Sequence, residues 1–115
     1  MQHFFFVFSD GRHLKINYGS ILYIEANGQQ CKICADGKFY RVENTLSKIE
    51  RLLPAGLFCR VQRNFLVSLD KILSFDEKNV HLPGKIISIK RAHRNKFRRS
   101  ISIHHYPRKS VVSTA

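Results

Sequence analysis

The sequence has few acidic residues and no long apolar stretch. Only eight Asp and Glu residues accompany twenty Lys and Arg residues in the 115-residue chain, so the formal net charge is +12 at pH 7. No apolar run approaches the roughly 20 residues that a membrane-spanning helix needs. The apolar start, residues 1–8, lacks the basic residues of a signal peptide and precedes a turn sequence, so it is interpreted as a strand. A chain of this length is expected to form one domain with its own core.

Cysteine is also scarce, and its number is odd. The three residues Cys31, Cys34 and Cys59 exclude a fully paired disulfide framework and indicate a reducing, cytoplasmic setting. Cys31 and Cys34 have the CxxC spacing of zinc and redox sites. The surrounding residues are typical of a strand, however, where positions three apart point to opposite faces. No second pair or neighbouring His completes a four-ligand set. We therefore predict buried or half-buried thiols and no metal site.

The motifs of an enzyme are missing as well. The sequence contains neither a glycine-rich phosphate-binding loop nor an HExxH segment, and its carboxylates are few and scattered. The histidines, at positions 3, 13, 81, 93, 104 and 105, show no ligand spacing. We predict a protein without catalytic residues, without a cofactor and without a small-molecule substrate.

Short alternating segments, separated by turn residues, dominate the chain. Asp-Gly or Asn-Gly pairs at residues 10–11, 27–28 and 36–37 are strong turn signals, which favours an antiparallel, mainly β fold built from hairpins. Strands are predicted at residues 3–8, 12–17, 21–26, 30–35, 38–42, 71–76, 80–82 and 85–89. Between residues 43 and 53 the apolar period becomes helical, and Asn44 or Thr45 can cap the start, which predicts one short amphipathic helix.

A polar segment in the centre of the chain carries candidate functional side chains. Residues 60–64 read Arg-Val-Gln-Arg-Asn and lie between apolar runs that can anchor both ends in a core. We expect a supported loop or short helical turn that presents Gln62, Arg63 and Asn64 outward. Arg, Gln and Asn carry planar pairs of hydrogen-bonding groups, which suit bidentate contacts with base edges. An ordinary polar loop on a basic protein is the alternative interpretation.

Two further polar segments fit the same interpretation. Residues 90–99 are rich in Lys and Arg, and the sequence has no acidic residue after Glu77. A run of one charge sign favours phosphate contacts over an ordinary solvated helix, although a basic surface that only aids solubility is the alternative. Residues 27–30 lie on a predicted β-turn. A β scaffold that projects such loops to one side can insert them into grooves of a duplex. Aromatic residues lie inside apolar runs, which disfavours an RNA-stacking platform.

The order of these motifs resembles the LytTR family of bacterial DNA-binding domains. The resemblance spans about residues 3–100. Its matching stretches are ILYIEA at 21–26, DGK at 36–38, the helical residues at 45–54, FCRVQRNFLV at 58–67, DKI at 70–72, VHL at 80–82 and ISIKR at 87–91.

This resemblance implies an elongated, mostly β domain over residues 1–106, with one short helix, a C-terminal helical turn, and DNA-reading loops at 27–32, 61–64 and 90–94. Residues 107–115 are small and polar, which predicts a flexible tail. The expected base contacts are Gln29, Gln30, Lys32, Gln62, Arg63, Asn64, Arg91 and His93. The expected phosphate contacts are Arg60, Lys90, Arg94, Lys96, Arg98 and Arg99.

The chain also departs from the family pattern. Family members commonly have His, Asn and Pro at the positions of Gln62, Ser68 and Ser88, and a Ser-Arg pair where this chain has Lys90 and Arg91. Gln62 retains groups that can read a base edge, so DNA binding is still expected. The target sequence of the family does not carry over.

The leading hypothesis is a transcription regulator that binds double-stranded DNA sequence-specifically, at paired repeat half-sites and as a homodimer on DNA. Members of the family often carry a receiver domain or membrane segments ahead of this domain. Because these 115 residues contain neither, we expect a stand-alone regulator or the output domain of a longer protein, with a separate signalling or membrane partner. The alternatives are a non-specific nucleic-acid (RNA) binding module, whose affinity ignores sequence, and an interaction domain for an acidic protein.

Overall fold

The computed structural model describes residues 2–101, which form three antiparallel sheets and two α-helices within 57 × 29 × 24 Å. The first sheet pairs β1 (Phe4–Ser9) with β2 (Arg12–Asn17). The central sheet has the order β5-β4-β3-β7-β6, with β3 at Ile21–Asn27, β4 at Gln30–Ala35, β5 at Lys38–Val42, β6 at Phe58–Gln62 and β7 at Phe65–Ser68. The third sheet has the order β10-β9-β8, with β8 at Ser74–Phe75, β9 at Asn79–Leu82 and β10 at Lys85–Ser88. The helices are α1 (Leu46–Leu52) and α2 (Arg91–Ser100). The predicted mainly β, elongated and antiparallel fold is confirmed.

Two of the hairpin turns follow directly from Asp-Gly pairs. Asp10 and Gly11 have φ angles of 50° and 76°, and Asp36 and Gly37 have φ angles of 52° and 73°. Two successive positive φ angles define the type I′ turn, whose twist matches that of the flanking strands. The turns fix the strand registers, so that Ser9 pairs with Arg12 and Ala35 pairs with Lys38.

The central sheet separates two hydrophobic cores. On one face, side chains of the first sheet and of α1 pack against Ile24, Ile33 and Leu66 of the sheet, all three fully buried. On the other face, the third sheet and α2 pack against a second cluster that includes Cys59, Val61, Val67, Val80 and Phe97. Since side chains alternate along a strand, β3, β4, β6 and β7 supply residues to both cores, whereas β5 contributes only to the first.

Helix α1 begins one residue after its cap. Thr45 Oγ1 accepts a hydrogen bond from Lys48 N at 3.3 Å, so Thr45, one of the two predicted caps, is the N-cap. Leu46 and Ile49 are buried against the central sheet. Leu52, three residues after Ile49, is 55% exposed.

Two sequence-based expectations about local structure were wrong. Residues 60–64 are not a supported loop or short helical turn, because β6 extends to Gln62 and leaves only a two-residue turn, Arg63 and Asn64, before β7. The predicted strand at 71–76 is limited to Ser74–Phe75, because Leu69–Lys71 form a 3-10 turn in which Ile72 N donates to Leu69 O at 3.4 Å. The expected C-terminal helical turn is present and extends to a ten-residue helix. The predicted tail at 107–115 lies outside the described residues.

The prediction that the cysteine thiols are buried or half-buried is confirmed. Cys31 is buried in the first core, whereas Cys34 is half-buried against the second, so the two thiols lie on opposite faces of β4. Burial raises the pKa of Cys31 to about 11 and outweighs the opposite effect of the nearby Arg60 charge. This thiol therefore stays protonated at neutral pH. Within residues 2–101, neither helix is long and apolar enough to cross a membrane.

The turn between β8 and β9 depends on Asp76 and makes stability pH-dependent. Lys78 N and Asn79 N both donate to Asp76 Oδ1 at 2.8 Å, and these bonds hold the pKa of the carboxyl below its usual value. A carboxyl with a depressed folded-state pKa stabilises the fold above its unfolded-state pKa, and loses that contribution as pH falls through the folded-state value. We expect Asp76→Ala to lower the urea midpoint at pH 7, with the difference shrinking at acid pH. Glu77→Ala, the neighbouring charge, is the control, and a pH-independent difference for Asp76→Ala contradicts the prediction.

Candidate nucleic-acid interface

The three polar segments that the sequence singled out meet at one end of the central sheet. The β3–β4 turn adjoins the β6–β7 turn, because Ala26 N donates to Asn64 O at 2.8 Å. The start of α2 adjoins β6, because Lys90 N donates to Val61 O at 2.9 Å. These backbone hydrogen bonds link segments that are more than 25 residues apart in the chain and place them side by side.

A β-bulge produces the second of these contacts. The register between β6 and β7 shifts between Arg60 and Gln62, so Val61 has no partner across the ladder. Its side chain is fully buried, while its carbonyl accepts from Lys90 N. Bulges commonly redirect a strand next to a functional site. Here the bulge attaches the N-terminus of α2 to the strand that carries the β6–β7 turn.

Arg63 and Asn64 form the exposed tip of this hairpin, as the sequence predicted for these two residues. Arg60 lies beneath the tip and is half-buried. Its guanidinium donates from Nη1 to Arg63 O at 2.8 Å and from Nη2 to Ser47 Oγ at 3.1 Å. Its Nε forms an ion pair with Glu50 Oε1 at 3.1 Å, without hydrogen-bond geometry. Arg60 thus joins the tip to α1, although the sequence suggested a phosphate contact.

Gln62 is likewise engaged inside the protein. Its side chain is half-buried, and Nε2 donates to Ser88 O at 3.0 Å and to Ser88 Oγ at 2.9 Å. The expectation that Gln62 is presented outward with Arg63 and Asn64 is therefore not met. Gln62 and Ser88 are two of the positions at which this chain departs from the pattern it resembles, and the structure brings them into direct contact.

Of the three predicted base contacts on and after the β3–β4 turn, the Gln29 amide is exposed, whereas the side chains of Gln30 and Lys32 have partners within the protein. Gln29 is exposed at the tip, next to Gly28, whose φ is 66°. Gln30 Nε2 donates to Glu43 Oε2 at 2.9 Å. Lys32 is half-buried, 3.4 Å from Glu25 Oε1, with its Nζ 4.7 Å from the centre of the Phe39 ring. Gln29 is therefore the most accessible of the three predicted base contacts on this turn.

Helix α2 is anchored by Phe97 and carries most of its basic residues on its exposed surface. Phe97 is 2% exposed, whereas Lys90, Arg91, Lys96, Arg98 and Arg99 are exposed. His93 and Arg94 are half-buried, and Arg94 Nε donates to Ile89 O at 3.4 Å.

The two flanks of α2 differ in their electrostatic surroundings. Arg94 and Arg98 line a depression of about 110 Å³ together with Asp76 and Glu77. Helical spacing puts Lys96 and Arg99, three residues apart, on the other flank. The nearby carboxylates partly offset the charge of Arg94 and Arg98, so Lys96 and Arg99 are better placed to meet an anion.

The structure adds residues that the sequence did not single out. Asp10 and Arg41 line a depression of about 290 Å³ that also includes Asn27, Gln30 and Lys32. The β1–β2 turn and β5 therefore border the β3–β4 turn. Arg41 pairs with Lys32 across β4 and β5. The register implied by the two-residue Asp-Gly turn could have placed this arginine beside Lys32 from sequence alone.

The charges at this end are largely unneutralised. Residues 2–101 contain two ion pairs, Glu25–Lys32 and Glu50–Arg60, and both involve residues set back from the tips. Arg63, Lys90 and Arg91 take part in neither pair and are exposed. An exposed cationic surface on a chain of net charge +12 attracts polyanions. The geometry thus defines a basic nucleic-acid-binding domain with a hairpin, a turn and a helix start at one end.

Comparison with known proteins identifies the family. The profile described as the LytTr DNA-binding domain matches residues 11–102, and the chain belongs to this family. LytTR is a family of DNA-binding domains, not of enzymes. The fold is similar to that of a solved structure, the LytTr DNA-binding domain of a protein described as a methyl-accepting/DNA response regulator from Bacillus cereus. That match has a TM-score of 0.73 and 16% identity, and covers 87% of this chain and 97% of the other. No curated protein sequence matches significantly.

The contacts of Arg60 lead to a test that separates two roles. A residue that touches a phosphate contributes about 0.9 to the slope of log affinity against log salt. Because the Arg60 guanidinium is held by Ser47, Glu50 and the Arg63 carbonyl, we expect Arg60→Ala to reduce DNA affinity by about 1 kcal/mol while the salt slope stays unchanged. Lys96→Ala, the matched control, is expected to reduce the slope by roughly one ion. A reduced slope for Arg60→Ala contradicts a purely internal role.

Proposed function

We propose that this LytTR domain is a transcription regulator that reads duplex DNA sequence-specifically through the three segments at one end of its central sheet. The observation that carries the proposal is their convergence, fixed by the bonds from Ala26 N to Asn64 O and from Lys90 N to Val61 O. Loops that are held at fixed separations can contact base edges in a defined register. A disordered basic segment has no such register.

The exposed side chains divide into two roles by chemistry and position. Gln29, Arg63, Asn64 and Arg91 lie at the tips of the three segments and carry the planar groups that suit base edges. Lys90, directly before α2, and Lys96 and Arg99 on α2 are exposed and are assigned to phosphates. Gln30, Lys32, His93, Arg94 and Arg98 are proposed as secondary contacts, because each has an internal bond, is half-buried or lies near carboxylates.

The small number of reading segments favours binding to repeated sites. Three short segments, joined by the bonds from Ala26 N to Asn64 O and from Lys90 N to Val61 O, limit the number of base pairs that one domain reads. We propose that two copies bind paired repeat half-sites, as a homodimer on DNA, and that a separate signalling or membrane partner controls them.

Selection of bound duplexes from a random DNA pool at near-physiological salt tests the proposal. We expect an enriched motif, in repeated form, with the unmodified chain. Inclusion of a scrambled duplex of the same composition separates specific from electrostatic binding. Retention of DNA without any enriched motif contradicts sequence-specific reading.

Non-specific nucleic-acid binding is the second candidate, and one observation favours it. The aromatic residues lie inside apolar runs of the sequence, but on the outer face of β1 Phe6 is 55% and Phe8 is 42% exposed. Lys15 and His13 pair with them on β2. Exposed rings beside cations on a sheet suit the stacking of unpaired bases. Titration with single-stranded oligonucleotides distinguishes the candidates. A larger loss of affinity for Phe6→Ala than for Arg63→Ala supports non-specific binding, and a larger loss for Arg63→Ala supports sequence-specific reading.

A further inference from the structure

Gln62 connects two of the reading segments through its side chain. It precedes Arg63 directly, and its two hydrogen bonds end on Ser88, which lies two residues before Lys90. The partners are 26 residues apart in the chain and belong to different sheets, the central one and the third. Besides this side chain, the bond from Lys90 N to Val61 O joins the same two segments.

The hydrogen bonds of Gln62 leave it poorly suited to read a base itself. Bidentate contact with adenine requires both an amide N–H and the amide oxygen of one Gln side chain. The amide nitrogen has two hydrogens, and two acceptors of Ser88 lie at 3.0 and 2.9 Å from it. A switch to DNA therefore exchanges internal bonds for external ones. It also leaves acceptors of Ser88 unpaired, which is costly at a half-buried site.

We propose that Gln62 is a positioning residue that sets the separation between Arg63 and the Lys90–Arg91 start of α2, rather than a base contact. The inference rests on the proposed function, because it concerns how the same site reads DNA. With both bonds in place, the tip of the β6–β7 hairpin and the start of α2 move together. Without them, the two arginines keep their chemistry but their separation is held only from Lys90 N to Val61 O, and contacts that need a precise fit weaken at both.

This role has a signature in the specificity of the domain. A direct base contact affects discrimination at the one base pair that it touches. A positioning residue affects the base pairs read by each of the elements that it aligns. For Gln62, two sets of base pairs are affected: those that Arg63 discriminates and those that Arg91 discriminates. The variants Arg63→Ala and Arg91→Ala identify these two sets separately.

The experiment measures the affinity of Gln62→Ala for the selected duplex and for each of its single-base-pair variants. We expect an affinity reduced by about 5-fold, the equivalent of roughly 1 kcal/mol, and reduced discrimination at both sets of base pairs. Gln62→His, whose ring N–H can donate to Ser88, is expected to restore part of the loss. Gln2→Ala is the matched control. Gln2 lines a depression with Ser68, at the end of β7 away from the Arg63–Asn64 turn.

A double-mutant cycle adds a second readout. Ser88→Ala removes one of the two acceptors, and its effect is expected to be largely absent when Gln62 is already Ala. Two outcomes overturn the proposal. Loss of discrimination at one base pair outside both sets makes Gln62 a direct base contact. Additive effects of the two substitutions show that Gln62 and Ser88 act independently.

NMR of the free protein decides the coupling independently of DNA. If Gln62 joins the two segments, Gln62→Ala shifts the backbone amide signals of residues 88–91 as well as those of the β6–β7 turn. Shifts confined to the turn overturn the coupling. The two failures can be told apart. If the proposed function is wrong, the unmodified chain selects no motif, and the amide signals still report whether Gln62 joins the two segments.

Discussion

Arg63→Ala is expected to weaken binding to the selected duplex by about 1–3 kcal/mol, roughly 5- to 150-fold, and to relax specificity at the base pairs that Arg63 reads. Arg63 is exposed at the tip of the β6–β7 hairpin, and its backbone is held from below by Arg60 Nη1 and from the side through Ala26 N and Asn64 O. Because the backbone is already ordered, it loses little conformational entropy on binding, and most of the contact energy of the side chain contributes to the affinity.

The control for Arg63→Ala is a residue of the same charge with a different role. Lys96 is exposed on α2 and is assigned to a phosphate, so Lys96→Ala is expected to weaken specific and scrambled duplexes by the same factor. Fluorescence anisotropy with both duplexes at one salt concentration provides the comparison. Equal losses on both duplexes for Arg63→Ala count against a base contact.

Phe97→Ala is expected to have the largest effect on stability, about 3–5 kcal/mol. Phe97 is 2% exposed, belongs to the second core and meets Phe75 edge-to-face with ring centres 5.2 Å apart. Removal of the ring leaves a cavity between α2 and the sheet, and a typical domain has only about 5–15 kcal/mol of net stability. DNA affinity is expected to fall as well, because α2 carries Arg91 and the basic residues after it.

Urea denaturation followed by circular dichroism measures this effect. Phe6→Ala is the matched control, since it removes the same ring from a position that is 55% exposed, and its effect is expected to stay within about 0.5 kcal/mol. Phe97→Leu, which fills part of the space, is expected to lie between the two. A similar midpoint for Phe97→Ala and Phe6→Ala contradicts the anchoring role of Phe97.

Local patterns predicted the hairpins well because each depends on neighbouring residues. Asp10-Gly11 and Asp36-Gly37 adopt the positive φ angles that their turn type needs, and alternation identified β2, β4 and β5 with their observed bounds. The same logic failed at β6. There Cys59 and Val61 are buried while Arg60 and Gln62 are half-buried with internal partners, and their polar character concealed a strand.

The candidate site was predictable in position but not in the roles of its residues. Sequence alone located the three polar segments, because Lys, Arg, Gln and Asn cluster there. It could not reveal that Arg60 binds Ser47 and Glu50 of α1, or that Gln62 binds Ser88. Those contacts depend on the packing of α1 and on the bulge at Val61, which bring together residues 10 to 26 positions apart.

The most direct test of the central claim is selection from a random duplex pool, carried out side by side with the unmodified chain, Arg63→Ala and Arg91→Ala. If the converging segments read sequence, the unmodified chain enriches a motif, and each variant loses information at its own positions while it retains the rest. A motif that is unchanged in both variants, or the absence of any enrichment, contradicts base reading by these segments.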